Sequence, residues 1–117
     1  MNLDSAISKH AEWKTKFRSA ITNKEKLDTA TIRRDDCCEL GKWLHGEGKI
    51  SHRSYSSYAA VVPKHAAFHV EAGKVADAIN SGKYAEATAM IENGTTFATA
   101  STEVGVAIVR LKKESGG

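Results

Sequence analysis

A chain of 117 residues, 41% hydrophobic and 26% charged, has room for one globular core and no length left for a second domain. Its net charge of +3 comes from Lys and Arg scattered along the sequence, which leaves no basic tract as a footprint for nucleic acid. No apolar run approaches a membrane span and the N-terminus carries no signal-peptide core, so the expectation is a cytoplasmic protein without membrane insertion.

A single proline, many alanines and apolar residues recurring at alternating three- and four-residue steps predict an all-α chain. The first helix is expected from Asn2 or Asp4, either of which can cap it, to about Asn23. Its stripe runs Leu3, Ile7, His10, Lys14, Phe17 and Ile21. His10 therefore sits on an otherwise apolar seam. Lys14 is the discordant member, able to hold its ammonium at the rim while Trp13 covers the flank.

Lys24 to Arg34 reads as a polar connection with Leu27 and Ile32 turned into the bundle. Asp35 or Asp36 then caps a short helix through Cys37, Cys38, Glu39, Leu40, Gly41, Lys42, Trp43 and Leu44, ended by Gly46-Glu47-Gly48. Gly41 inside so short a helix costs about 1 kcal/mol against alanine, which a close backbone contact would explain. The two cysteines are neighbours, and a disulfide between them would close a strained ring, so both are read as reduced thiols available for metal or redox chemistry. On an ideal helix Cys37 lies with Leu40, Gly41 and Leu44, the more buried side, and Cys38 lies nearer Gly41 and His45.

Ile50 to Ala60 mixes turn-favouring serines with Tyr55 and Tyr58 at helical spacing, and Pro63 either opens a third helix or kinks a longer one. That helix carries Tyr58, Val62, His65, His69, Ala72, Ala76 and Ile79 on one stripe and stops at Asn80-Ser81-Gly82. His65 and His69 stand four residues apart, one turn apart on a single face. A fourth helix is expected from Lys83 to Asn93, burying Tyr84, Ala87 and Ile91, and broken by Gly94, Thr95 and Thr96. The last carries Phe97, Ser101, Val104, Ile108 and Leu111, with Lys112 and Lys113 at its negative end and Ser115-Gly116-Gly117 as tail. The fold expected is thus an antiparallel bundle of four to five helices, a single domain over residues 1–117.

Imidazoles on core-facing stripes need partners there, and a divalent metal is one. His10, a cysteine of the second helix, His65 and His69 together make a closed tetrahedral set of zinc-preferring ligands. Their wide separation in sequence suits a bundle core, where ligands converge from different helices, and not a finger with local ligand pairs.

Three segments carry a resemblance: His10-Ala11-Glu12-Trp13-Lys14, Cys38-Glu39-Leu40-Gly41-Lys42-Trp43-Leu44 and His65-Ala66-Ala67-Phe68-His69. In order and spacing they resemble the chemoreceptor zinc-binding (CZB) domain family across nearly the whole chain. The resemblance implies a zinc ion held by His10, Cys38, His65 and His69, and it is this motif that selects Cys38 over Cys37. It further implies a cytoplasmic sensory or regulatory module, generally a homodimer, serving a chemoreceptor or a diguanylate cyclase. Zinc, and oxidants such as hypochlorous acid acting on the zinc-bound cysteine, are the signals it implies. No output segment follows the domain in this sequence, so the output is expected on a partner.

Rival readings are an enzyme, a zinc-stapled dimerisation module and a di-iron bundle. A catalytic zinc keeps a position open, whereas four protein ligands close the shell, and no acidic residue except nearby Glu39 suggests a general base. The di-iron reading needs inward carboxylates paired with the histidines, and the sequence offers Glu71, off the stripe, and little else. His45 is a substitute ligand in principle and reads better as a solvated side chain.

Overall fold

The computed structural model describes residues 1–116, an elongated all-helical body of 44 × 25 × 19 Å. Its helices are α1 (Leu3–Ala11), α2 (Trp13–Asn23), α3 (Thr29–Ile32), α4 (Glu39–His45), α5 (Glu47–His52), α6 (Ser56–Asn80), α7 (Tyr84–Met90) and α8 (Thr96–Ser115). Gly117, part of the expected tail, lies outside the described residues, and α8 itself continues through Ser115 before Gly116 caps it in the left-handed region. None of these helices is long and apolar enough to cross a membrane.

The chain makes four antiparallel passes. Asn2 caps α1 by accepting from the Ser5 N–H at 3.0 Å. The long first helix is interrupted only at Glu12, where the backbone bonds carry on from Glu12 N–H to Ser8 and from Lys16 N–H to Glu12. The second pass runs down the length of α6. Leu27 meets Asn80 through paired 2.8 Å bonds, Arg33 reaches Asp77 at 2.7 Å, Cys38 lies against His65, and Leu44 accepts from the Tyr58 hydroxyl. α8 closes the bundle antiparallel to α6, with Ser57 bonded to Glu114 at one end and Lys64 to Glu103 further along.

The second pass differs most from expectation. Asp28 caps the additional short helix α3 by accepting from Thr31, and α4 begins only at Glu39, so Cys37 is not helical and Cys38 is the cap. Gly46 breaks the chain between α4 and α5, but Gly48 lies inside α5 with its Cα against the Trp43 ring, where a Cβ would come within 2.7 Å. Pro63 neither opens nor visibly breaks α6; it sits exposed inside it. α7 stops at Met90, three residues short of the expected Asn93, because Ile91 turns inward as its cap.

α6 is the central helix, buried along Val61, His65, Phe68, Ala72, Val75 and Ile79. Beside His10 and His69 an aromatic cluster joins three passes: Phe17 and Phe68 both lie against Phe97, at 5.6 and 5.7 Å between ring centres. Both Phe17 and Phe68 are completely buried, and each contributes about 1.5–3 kcal/mol of hydrophobic stabilisation.

Candidate metal centre

His10 from α1, Cys38 from the start of α4, and His65 and His69 from α6 converge so that one ligand atom from each lies within 4.8 Å of all the others. Cys38 Sγ stands 3.2 Å from His65 Nε2, 3.6 Å from His69 Nε2 and 3.9 Å from His10 Nε2, and the two α6 imidazoles meet Nε2 to Nε2 at 3.0 Å. Ligand atoms around a tetrahedral zinc are separated by about 3.3 Å for two nitrogens and about 3.6 Å for nitrogen and sulfur. The donor set and its spacing therefore fit that ion.

The ring nitrogens facing away from the cluster set its chemistry. His10 Nδ1 donates to the Ala6 carbonyl and His69 Nδ1 to the Ile32 carbonyl, both at 2.8 Å. A carbonyl can only accept, so in the neutral rings the proton is on Nδ1 and Nε2 presents a bare lone pair to the centre. This is the outer-shell arrangement that orients metal-ligating histidines. His65 Nδ1 is buried and finds no partner among the described residues.

Burial removes water that would solvate an imidazolium, and it holds His10, His65 and His69 below the ordinary value of 6.5. His65, completely buried and also facing His69 and His10, falls to about 3. All three are thus neutral at physiological pH, the form that coordinates metal. Burial likewise raises the Cys38 thiol above its ordinary value, opposed by the Gly41 N–H that points at Sγ from 3.3 Å. A nearby cation is what would release that proton.

Two glycines let the second pass approach closely enough to deliver Cys38 and the Ile32 carbonyl. A Cβ on Gly41 would sit 1.7 Å from the Asp35 carbonyl oxygen, so the turn before Cys38 lies flat on α4 only because that carbon is absent. The expected close contact at Gly41 is therefore real. A Cβ on Gly73 of α6 would meet Arg33 Cβ at 2.7 Å, one residue from Ile32.

Compared with models of known protein families, residues 10–76 match the chemoreceptor zinc-binding domain, more than half of the chain. The chain belongs to that family. The CZB match opens on His10 and runs past His69, so it spans the whole four-residue cluster, while α7 and α8 lie beyond it. No curated protein and no solved structure gives a match.

Of the residues singled out in the sequence, the four candidate ligands His10, Cys38, His65 and His69 come together and the alternatives do not. Cys37 turns outward, with its thiol toward Asp36 at 3.6 Å, and the exposed His45 pairs with Asp35 at 3.0 Å. Glu39 is exposed and holds Lys9 at 2.8 Å, and Glu71 pairs with Lys74, so neither carboxylate enters the cluster. Sequence reasoning missed the two carbonyl partners. Ala6 was within reach of it, standing one helical turn before His10, whereas nothing local ties Ile32 to His69.

Proposed function

We propose that this chain is a zinc-binding sensory module in which His10, Cys38, His65 and His69 hold one zinc ion, and in which the Cys38 position is the moving part. The observation that carries the reading is the convergence of three imidazole Nε2 atoms on a thiol, those of His10 and His69 left with a bare lone pair because each Nδ1 donates to a carbonyl. Zinc, when bound there, supplies the positive charge that keeps the Cys38 sulfur a thiolate.

The four positions are not equivalent. His10, His65 and His69 are at most 5% exposed, and His10 and His69 pack against Phe68 at 5.3 and 5.5 Å between ring centres. Cys38 is half-buried and begins a seven-residue helix that follows a turn. Oxidation or zinc withdrawal would therefore release Cys38 first, and with it the 35–45 segment, while the histidines stay in place. Such a change passes to an output partner, a chemoreceptor or diguanylate cyclase as in other CZB proteins, through a homodimer. A closed shell of four protein groups gives a regulatory site and not a catalytic one.

Metal analysis and X-ray absorption test the site: one zinc per chain with three nitrogen neighbours and one sulfur is expected, and two sulfurs or none refutes it. Hydrogen exchange before and after mild oxidation with hypochlorous acid tests the switch. Faster exchange confined to Cys37–Leu44 is expected. Unchanged exchange there with Cys38 oxidised would leave zinc as a structural staple in a dimerisation module.

A further inference from the structure

One cavity reaches the cluster from the surface. About 210 Å³ in volume, it lies between α1 and the start of α4 and ends on Cys38 and His10, and neither His65 nor His69 lines it. Its inner wall is apolar, made of Ala6, Leu40 and the partly buried Trp13. Its exposed rim carries Met1, Lys9, Glu12, Lys16 and Glu39. Lys9 and Glu39 neutralise each other at 2.8 Å across the mouth, tying α1 to α4, and Lys16 lies over the Trp13 ring at 4.7 Å.

We infer that this cavity is a selective port to Cys38, admitting compact uncharged thiol-reactive molecules and excluding charged ones of the same chemistry. The charged groups of the lining are exposed at the mouth, with Lys9 and Glu39 paired to each other, and the inner wall offers Ala6, Leu40 and Trp13. A charged molecule must then shed its hydration to pass an apolar neck, where a charge finds no dedicated partner. A small neutral molecule incurs no such cost. Cys37, outside the cavity with its thiol toward solvent-exposed Asp36, has no such filter. The inference deepens the sensory reading, because it states which class of molecule can reach the sulfur that the switch depends on.

Methanethiosulfonates test it, since one reaction can be run with neutral or charged carriers. The Cys38 sulfur attacks the reagent's divalent sulfur, a disulfide forms, the bond to the sulfonyl sulfur breaks, and a sulfinate anion leaves with the electron pair. Rates would be measured on zinc-loaded Cys37→Ser protein with methyl, sulfonatoethyl and trimethylammonioethyl reagents, and again on the same protein unfolded in urea. The methyl reagent's advantage over both charged reagents should be at least tenfold larger in the folded protein than in the unfolded one. Glu12→Trp and Lys16→Trp, which cover the mouth from its exposed rim, should each slow the methyl reagent at least fivefold with zinc content unchanged. Equal charge discrimination in folded and unfolded protein overturns the inference. So does an unchanged methyl rate in either folded variant. Zinc content and hydrogen exchange, measured on the same samples, report separately on the metal site and the switch: a port can operate in a protein that fails both.

Discussion

Gly41→Ala is the substitution whose sign the structure reverses. In an ordinary exposed helix position, replacing glycine by alanine stabilises by about 1 kcal/mol. Here the new carbon would lie 1.7 Å from the Asp35 carbonyl oxygen and 3.1 Å from Asp36 Cα, both backbone atoms that cannot rotate away. The turn would have to retreat by more than an ångström to restore contact distance. It cannot do so alone, because the Asp35 carboxylate holds His45 at 3.0 Å and Cys38 follows directly. Overpacking of this kind costs about 1–3 kcal/mol. The displacement of Sγ matters more, since metal–ligand distances tolerate only about 0.2 Å. We expect zinc affinity to fall by about 10–100-fold, the range seen when support for a ligand is lost. Chelator competition and urea melts, each with and without zinc, measure the two effects. Gly105→Ala in α8 is the control: nothing lies within 4 Å of its would-be Cβ, so it should stabilise by about 0.4–1 kcal/mol and leave zinc binding unchanged. A Gly41→Ala protein that is more stable, or that binds zinc as tightly as the parent, would refute the argument.

Three further outcomes are expected. Cys38→Ser should weaken zinc binding markedly and Cys37→Ser should leave it near the parent's, because only Cys38 Sγ stands among the imidazoles; competition titration in the reverse order would show the wrong thiol assigned. His65→Ala and His69→Ala should each lower zinc affinity and melting temperature, and the loss in melting temperature should shrink after chelation, since a ligand that binds only the folded state adds stability; equal losses with and without chelator would make them ordinary core residues. Zinc-free protein should lose stability as pH falls below about 6.5. His10, His65 and His69 are held below 6.5 when folded and regain that value on unfolding, so the unfolded chain takes up protons that the folded one refuses, at up to about 1.4 kcal/mol per pH unit for each proton. For His65 the loss continues down to about pH 3, and urea melts between pH 7 and pH 4 that show no slope would contradict burial of neutral imidazoles.

The periodic stripes by themselves determined that α1 with α2, α6 and α8 exist and one face that each buries, but α6 is central and also buries Val61, Phe68 and Val75 off that stripe. Leu3, His10 and Phe17 on the first pass and His65, His69 and Ile79 on α6 are buried as the spacing requires. The same spacing placed the three histidines in the core, and the family motif selected Cys38 where helical geometry pointed to Cys37. That geometry failed for a physical reason. It assumed that both cysteines were helical, whereas α4 starts after them, and in the extended cap conformation of Cys38, at ψ 164°, side-chain directions no longer follow the helical period. Only the tertiary structure decided what surrounds the ligands. Ile32 reaches His69 across 37 residues, and it does so because Gly73 lets the Arg33 backbone lie against α6. The open side of the cluster is likewise a product of packing between α1 and α4, two elements distant in sequence. Contacts of that kind depend on how far backbones approach one another, which residue periodicity does not encode.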